Sequence, residues 1–193
     1  MPNLIPKEFF LRSPLEVAPQ LLGKILLRNL DGKIISGRIV ETEAYLGPTD
    51  PAAHSYIGKT KRNASLFGEA GHLYVHTIHT QKCVDIVCQE VGTPTSVLIR
   101  ALEPLEGGSL MKKHRNKEKI IDLTTGPGKL CQALAITREL DGIDATRTDS
   151  PVQLWDDGYE LMDFVIGKRV GITKAAEQEY RFFLRANKFV SKK

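Results

Sequence analysis

Apolar and polar residues alternate with a period of two along residues 24–46, which read KILLRNLDGKIISGRIVETEAYL. A period of two is typical of β-strands with one buried face. Asp31 and Gly32 interrupt the alternation, and both residue types tolerate the positive φ values of a tight turn. The stretch therefore predicts a β-hairpin. Its second strand is predicted to carry five side chains on one face, namely Ile35, Ile39, Glu41, Glu43 and Tyr45.

A helix is predicted immediately before this hairpin. Ser13 followed by Glu16 has the spacing of a capping box, and Pro14 suits the first helical position. Gly23 is suited to ending the helix, because glycine adopts the left-handed conformation that follows many helices.

The remaining pattern predicts more strands than helices. Residues 47–72 are rich in Gly, Pro, Asn and Thr and indicate a long loop, which in a compact domain is often functional. Two strands are predicted in residues 72–89, around a polar tip near residues 80–82. Further strands are predicted at 95–102, 164–172 and 180–190, and helices at 105–117 and 126–136. These elements predict an α+β fold in a single compact domain over residues 1–193, with helices packed around a sheet.

Composition fits a globular protein in a reducing compartment. Hydrophobic residues make up 41% and charged residues 26% of the 193 positions, which is ordinary for such proteins. No apolar run approaches the roughly 20 residues that cross a membrane, and the N-terminus lacks the pattern of a signal peptide. The three cysteines form neither an even framework nor a C-x-x-C pair, so a cytoplasmic location is expected.

Basic residues are clustered, although the net charge is only +4 and the sequence pI about 8.9. The clusters are KTKR at 59–62, which ends in Arg62, KKHRNKEK at 112–119, and the C-terminal VSKK. Lys129 adds a cation near Pro127, at a predicted helix start whose free N–H groups suit a phosphate. These clusters fit phosphate contacts, but they fit a solvated face equally well.

Glu41 and Glu43 are candidates for chemistry, because the predicted strand places them about 7 Å apart on a partly apolar face. Desolvation raises the pKa of a carboxylate towards the range that a general base needs. The alternative is a structural pair neutralised by Arg38 or Arg100. Glu43 lies nearer the loop and the ring of Tyr45, which makes it the better candidate of the two.

Other chemical patterns are weaker. His72, His76 and His79 are close in sequence, but a strand places His79 on the opposite face, so no metal site is predicted. The sequence TTGPGKL lacks the first glycine and the final Ser or Thr of a phosphate-binding P-loop, which excludes an NTPase of that kind.

Six blocks together resemble the alkyladenine (3-methyladenine) DNA glycosylase family and occur in that family's order. They are VETEAYLGPTDPAAHS, KRNASLF, GHLYV, VLIRALEPLEG, GPGKLCQAL and RVGI, and the resemblance runs from about residue 15 to the C-terminus. It implies a compact mixed α/β domain around a curved antiparallel sheet. A protruding β-hairpin would enter the DNA minor groove and displace the damaged nucleotide.

The resemblance also implies a reaction, namely hydrolysis of the N-glycosidic bond of damaged purines without metal, cofactor or covalent enzyme intermediate. Glu43 matches the family's catalytic glutamate, which activates the attacking water. Arg100 matches an arginine that helps to hold this water, and Val170 matches a residue that contributes its backbone carbonyl. Glu41 has no catalytic counterpart and is expected to be structural.

Substrate contacts follow from the same resemblance. Tyr45 matches a pocket residue that stacks on the flipped base, and His54 one that contacts the base or sugar. The expected lesions are alkylated or deaminated purines such as 3-methyladenine, 7-methylguanine, hypoxanthine and ethenoadenine. The expected partner is damaged duplex DNA, bound by a monomer.

The sequence departs from the family where the lesion is sensed. Animal members carry tyrosines on the hairpin at the places of His76 and His79, one lining the pocket and one wedged into the base stack. An asparagine that excludes guanine becomes Asp85 if the one-residue gap lies in the tip. His79 and Gln81 are the expected wedge residues, and Arg62 and Lys129 the expected phosphate contacts.

Two other classes of function compete with this interpretation. A metal-dependent hydrolase would use the hairpin histidines and would be inhibited by chelators. A non-catalytic nucleic-acid-binding module would keep the basic clusters but would not depend on Glu43.

Overall fold

The alternating segments of the chain pair into one antiparallel sheet. The computed structural model describes residues 2–160 and 163–192. Within these ranges the strands are β1 (Asn3–Leu4), β2 (Ile25–Leu30), β3 (Lys33–Tyr45), β4 (Leu73–Ile78), β5 (Gln81–Cys88), β6 (Thr95–Glu106), β7 (Val152–Asp156), β8 (Phe164–Gly167) and β9 (Arg181–Leu184). The helices are α1 (Pro14–Gln20), α2 (Gly108–Arg115), α3 (Ile121–Thr124) and α4 (Pro127–Ala133). The fold is therefore α+β, as the sequence predicts.

The long strand β3 is the centre of the sheet. The strand order is β1-β7-β2-β3-β6-β5-β4, so the sheet is open and β4 forms one edge. One side of β3 pairs with β6 along most of its length. Its other side pairs first with β2 and then with β9, which in turn pairs with β8. The second half of β3 is thus enclosed between two strands.

The predicted N-terminal helix and hairpin are confirmed. Helix α1 begins at Pro14, and the hydroxyl of Ser13 accepts a hydrogen bond from the N–H of Leu15. In the β2–β3 turn, Asp31 and Gly32 have φ values of 50° and 80°. The left-handed turn that Asp-Gly favours is therefore present.

Strand β3 does not keep the strict alternation that its sequence predicts. Its pairing with β6 shifts register between Ser36 and Gly37 and on both sides of Glu41. Residues 39–44 are all buried, so both faces are covered there and the carboxylates are not on a half-exposed face. Bulges of this kind re-aim side chains and are frequent beside active sites.

Three further differences are local. Residues 79 and 80 form the tip of the β4–β5 hairpin, because Gln81 and Lys82 already pair with β4. The two predicted C-terminal strands are shorter than expected: the one at 164–172 ends at Gly167, so that residues 168–172 leave the sheet, and the one at 180–190 covers only Arg181–Leu184. The elements β1, β7 and α3 are too short to give a periodic signal.

The main apolar core lies between the sheet and the helices, and a smaller cluster forms around Leu66, Tyr74 and Val87. Helix α1 packs on β3 and β6, whereas α4 packs on β5 and β6. The largest fully buried side chains include Phe10, Leu26, Ile86, Met111 and Leu130. No helix in the described part of the chain is both long and apolar enough to span a membrane.

Candidate active site

Glu43 lies in the enclosed half of β3, where it pairs with Leu98 of β6 and Arg181 of β9. Its side chain has no exposed surface, and burying a carboxylate is costly unless donors surround it. Oε1 accepts a hydrogen bond from the Val170 N–H at 2.7 Å. Oε2 accepts from the Tyr45 hydroxyl at 2.9 Å and from Arg100 Nη1 at 3.2 Å. Since a carboxylate offers about four acceptor sites, roughly one stays free on Oε1.

Arg100 of β6 bridges the two glutamates. Its Nε donates to Glu41 Oε1 at 3.2 Å, and its Nη1 contacts Glu43 Oε2 and the Val170 carbonyl at 3.4 Å. Arg38 instead forms a bidentate ion pair with Asp157. Of the two arginines proposed as partners, Arg100 is therefore the one that neutralises the glutamates.

Glu41 accepts hydrogen bonds from a second group of donors. Besides Arg100, its carboxylate accepts from Arg181 Nε at 2.7 Å and from the Ser191 N–H at 2.6 Å. Its side chain is fully buried. Glu41 thus ties β6, β9 and the C-terminal segment together, which fits the structural role expected for it.

Val170 reaches the site because the chain leaves the sheet after β8. Its backbone N–H contacts Glu43 and its carbonyl oxygen accepts from Arg100. A residue paired on both sides inside a sheet would have neither group free. The end of the predicted strand at Gly167 is therefore what makes this contact possible.

The surroundings of Glu43 shift its pKa. Burial raises the pKa of this carboxyl, while Arg100 and the Val170 N–H oppose the shift, and the pKa remains above its ordinary value. Burial and the charge of Glu43 hold the pKa of Tyr45 well above its ordinary range, so its hydroxyl stays protonated and donates. A buried carboxylate with a raised pKa and one free acceptor site has the properties of a general base.

A cavity of about 200 Å³ lies beside this cluster. Its wall contains all four residues expected to contact the base: Tyr45, His54, His76 and Asp85. Gly171, next to Val170, lines both this cavity and a larger groove of about 500 Å³, which also contains Arg100 and Val170. The cavity and the glutamate cluster therefore adjoin one another.

Hydrogen bonds fix the side chains on the cavity wall. His76 Nε2 lies 2.9 Å from Asp85 Oδ1, and the Ser96 hydroxyl donates to Asp85 Oδ2 at 2.7 Å. His54 Nδ1 lies 2.9 Å from the Tyr74 hydroxyl. The Tyr74 and His76 rings are stacked, with centroids 4.8 Å apart. These contacts present aromatic faces and polar edges together, as a pocket for a heterocyclic base requires.

The residues expected to contact DNA lie at the rims of the grooves. His79 and Gln81 line the larger groove together with exposed Lys129. Exposed Arg62 lines a separate basic groove of about 610 Å³ that also includes His54 and His76. The hairpin tip thus stands between two grooves that carry positive charge.

Sequence reasoning missed three residues of this site. Tyr74 stacks on His76, Ser96 fixes Asp85, and Arg169 packs behind Tyr45. For Tyr74 the signal was its place in the GHLYV block, two residues before His76. For Arg169 it was its place in the RVGI block, whereas Ser96 has no local signal, because its partner Asp85 lies on another strand.

No group of three or more His, Cys, Asp or Glu side chains could hold a metal ion within residues 2–160 and 163–192. The pair His76 and Asp85 faces Ser96, and His72 and His79 are not part of this cluster.

The groups around Glu43 are suited to binding a water molecule. Glu43 and the Val170 carbonyl can accept its two hydrogens, and Arg100 can donate to its oxygen.

Comparison with known proteins gives a consistent assignment. A family model described as methylpurine-DNA glycosylase matches residues 8–188. The chain is 42% identical over 193 residues to a Koribacter versatilis protein, covering 98% of this chain and 93% of the relative. It is 43% identical over 200 residues to a Desulfitobacterium hafniense protein, covering 97% and 98%. It is 44% identical over 182 residues to a Francisella tularensis protein, covering 93% and 94%.

All three relatives are provisionally named 3-methyladenine DNA glycosylases. The matched region extends from before α1 to beyond β9 and includes Glu41, Glu43, Arg100 and Val170 as well as every residue of the cavity wall. This chain belongs to the methylpurine-DNA glycosylase family, and it is a DNA glycosylase, a hydrolase of N-glycosyl bonds.

Proposed function

We propose that this enzyme flips alkylated or deaminated purines out of duplex DNA and hydrolyses their N-glycosidic bond with a water activated by Glu43. The observation that carries the proposal is the buried Glu43 carboxylate, which three donors surround beside an aromatic cavity of about 200 Å³. A base must leave the stack before an enzyme can act on its glycosidic bond. The names of the relatives support 3-methyladenine as one substrate.

The cluster supports a direct attack by water at C1′. The water donates its hydrogens to Glu43 and to the Val170 carbonyl, accepts from Arg100, and keeps one lone pair for the sugar. As the C1′–N9 bond breaks, its electron pair leaves with the base and positive charge develops on the sugar. The Glu43 carboxylate stabilises this charge and then takes a proton from the water.

The leaving group contributes selectivity. A 3-alkylated or 7-alkylated purine carries a positive charge and departs as a neutral base, whereas an undamaged purine departs as an anion. The chemical step therefore favours alkylated bases even where the pocket binds both. Tyr45 supplies the aromatic face for stacking, and His54, His76 and Asp85 supply polar contacts.

The hairpin tip is proposed to fill the gap that the flipped nucleotide leaves in the minor groove. His79 and Gln81 are the candidate wedge residues, and both are exposed and line the larger groove. Minor-groove proteins commonly insert side chains between bases to offset the loss of stacking. Arg62 and Lys129 are proposed to contact phosphates on either side of the tip.

The proposed enzyme acts as a monomer on DNA in the cytoplasm, without a metal or cofactor. Cys83, Cys88 and Cys131 are buried free thiols, which supports a reducing compartment.

A base-release assay tests the proposal. Duplex oligonucleotides that each carry one damaged purine are incubated with enzyme, with and without EDTA. The expected product is an intact strand with an abasic site, which breaks only on later heating in alkali. Inhibition by EDTA, or a protein–DNA adduct trapped by borohydride, would contradict the proposed metal-free, non-covalent mechanism.

A further inference from the structure

A buried cation lies directly behind the proposed stacking platform. The guanidinium carbon of Arg169 is 4.7 Å from the centroid of the Tyr45 ring, and its side chain has no exposed surface. Tyr45 lines the cavity whereas Arg169 does not. The guanidinium therefore covers the face of the ring that is turned away from the cavity.

Asp50 and a backbone carbonyl hold this cation in place. Arg169 Nη2 donates to Asp50 Oδ1 at 2.8 Å, Nη1 donates to Oδ2, and Nη1 also donates to the Ala44 carbonyl at 3.0 Å. The ring of Tyr180 lies 5.2 Å from the guanidinium. Asp50 thus binds the guanidinium through its two terminal nitrogens, and the guanidinium carbon lies nearer to the Tyr45 ring than to the Tyr180 ring.

A cation in this position changes what the other face of the ring attracts. An aromatic face attracts positive charge through its electron density. Arg169 already occupies one face of the Tyr45 ring. A cationic base stacked about 4.5 Å from the other face would therefore lie roughly 9 Å from the guanidinium. Like charges still repel at this distance in a poorly screened interior. A neutral base has no net charge to repel.

We propose that Arg169 is a specificity-determining residue, which acts through the Tyr45 ring to shift selection from positively charged lesions towards neutral ones. Its substrate class is the neutral damaged purine, such as hypoxanthine, relative to the cationic 7-methylguanine. The proposal rests on the proposed function, because it requires Tyr45 to stack on the flipped base. It concerns selection among lesions, and Glu43 remains the proposed general base for all of them.

Arg169 also precedes Val170, so a purely structural role must be separated from the electrostatic one. Misplacing Val170 would slow the release of every lesion by a similar factor, since the same water attacks each of them. An effect of the Arg169 charge would instead change the rate for a cationic lesion relative to the rate for a neutral one. The readout is therefore the single-turnover rate for 7-methylguanine divided by that for hypoxanthine, each in the same duplex.

Two variants have opposite expected effects on this ratio. The double variant Asp50→Asn/Arg169→Gln removes both charges and keeps amide hydrogen bonding, and it should raise the ratio by up to about twofold over wild type, because the paired charges largely cancel at the base. Asp50→Asn alone leaves the cation without its counter-charge and should lower the ratio about two- to fivefold. If Asp50→Asn, which leaves a buried charge unpaired, does not fold, the double variant decides the question by itself.

The same charge changes in a Tyr45→Leu background provide the control. Without the ring the base loses the stacking that holds it over Arg169, so the ratio should respond less to Asp50 or Arg169. An unchanged ratio in both variants, or a shift of opposite sign, would overturn the proposal, and so would a shift of undiminished size without Tyr45. Wild-type enzyme that releases neither base would instead contradict the proposed function, so the two failures are distinguishable.

Discussion

The backbone N–H of Val170 lies 2.7 Å from Oε1 of Glu43, although 127 residues separate the two along the chain. This contact occupies one acceptor site of the carboxylate and brings the Val170 carbonyl next to Arg100. The segment after β8 thereby completes a site whose other members lie on β3 and β6.

The rate of base release should depend on the ionisation of Glu43. A general base acts only when ionised, so the rate should fall as pH drops through the pKa of Glu43, which burial holds above its ordinary value. The Tyr45 hydroxyl lowers this pKa by donating to the carboxylate. Tyr45→Phe should therefore move the acid limb to higher pH. Single-turnover rates between pH 4 and 8 measure this, and an unmoved limb would show that the limb belongs to another group.

Glu41 should matter more for stability than for chemistry. Glu41→Gln removes the charge that faces Arg100 and Arg181, and breaking a buried pair destabilises proteins by about 3–5 kcal/mol. Urea unfolding should show most of this loss. Base release by the folded variant should fall far less than that of Glu43→Gln, and an equal loss would assign Glu41 a direct catalytic role.

His79 should act on the DNA duplex rather than in the cavity. It is exposed at the hairpin tip, with a φ of 53° in the turn. His79→Ala should weaken the flipped complex on duplex DNA and have little effect on single-stranded DNA, where the lesion is already unstacked. Fluorescence of 2-aminopurine beside the lesion reports the flipping. Equal losses on both substrates would contradict the wedge role.

Ile78 is the matched comparison for His79. It is an apolar residue that is 42% exposed beside the tip and lines both the cavity and the larger groove. If Ile78→Ala causes the duplex-specific loss and His79→Ala does not, the wedge is Ile78.

Close packing between α4 and the hairpin should fix the tip. A Cβ added to Gly128 would lie 2.7 Å from the Cβ of Gln81, so Gly128→Ala must displace one of the two elements. We expect weaker binding to duplex DNA and slower base release. Gly108→Ala in α2 is the control, because a Cβ there meets nothing within 4 Å. Similar effects of both variants would contradict a specific role for this contact.

Local signals in the sequence predicted the parts of the fold that local interactions determine. Asp31 and Gly32 specify their turn whatever surrounds them, and Ser13 caps its helix through a residue two positions away. The identity of Glu43 as the base candidate followed from its place near Tyr45 and from the family resemblance. The turn and the cap each needed only a short stretch of chain, whereas the assignment of Glu43 also used blocks spread along most of it.

Long-range contacts explain what the sequence did not predict. Val170 lies in a segment whose apolar pattern predicts a strand. The strand nevertheless ends at Gly167, and this end point is visible only in the folded sheet. The bulges beside Glu41 depend on the pairing with β6. Arg169 binds Asp50 across 119 residues, and no local pattern indicates that pairing.

The central claim is that Glu43 activates the attacking water. Glu43→Gln keeps the size and much of the hydrogen bonding of the side chain but cannot take a proton, and general-base catalysis typically contributes about 10²- to 10⁴-fold. The most direct measurement is the single-turnover rate of base release from a duplex with one 3-methyladenine-type lesion, beside the affinity for the same DNA. The account predicts a loss of about 10²- to 10⁴-fold in rate with the affinity for damaged DNA retained. A near wild-type rate would contradict it.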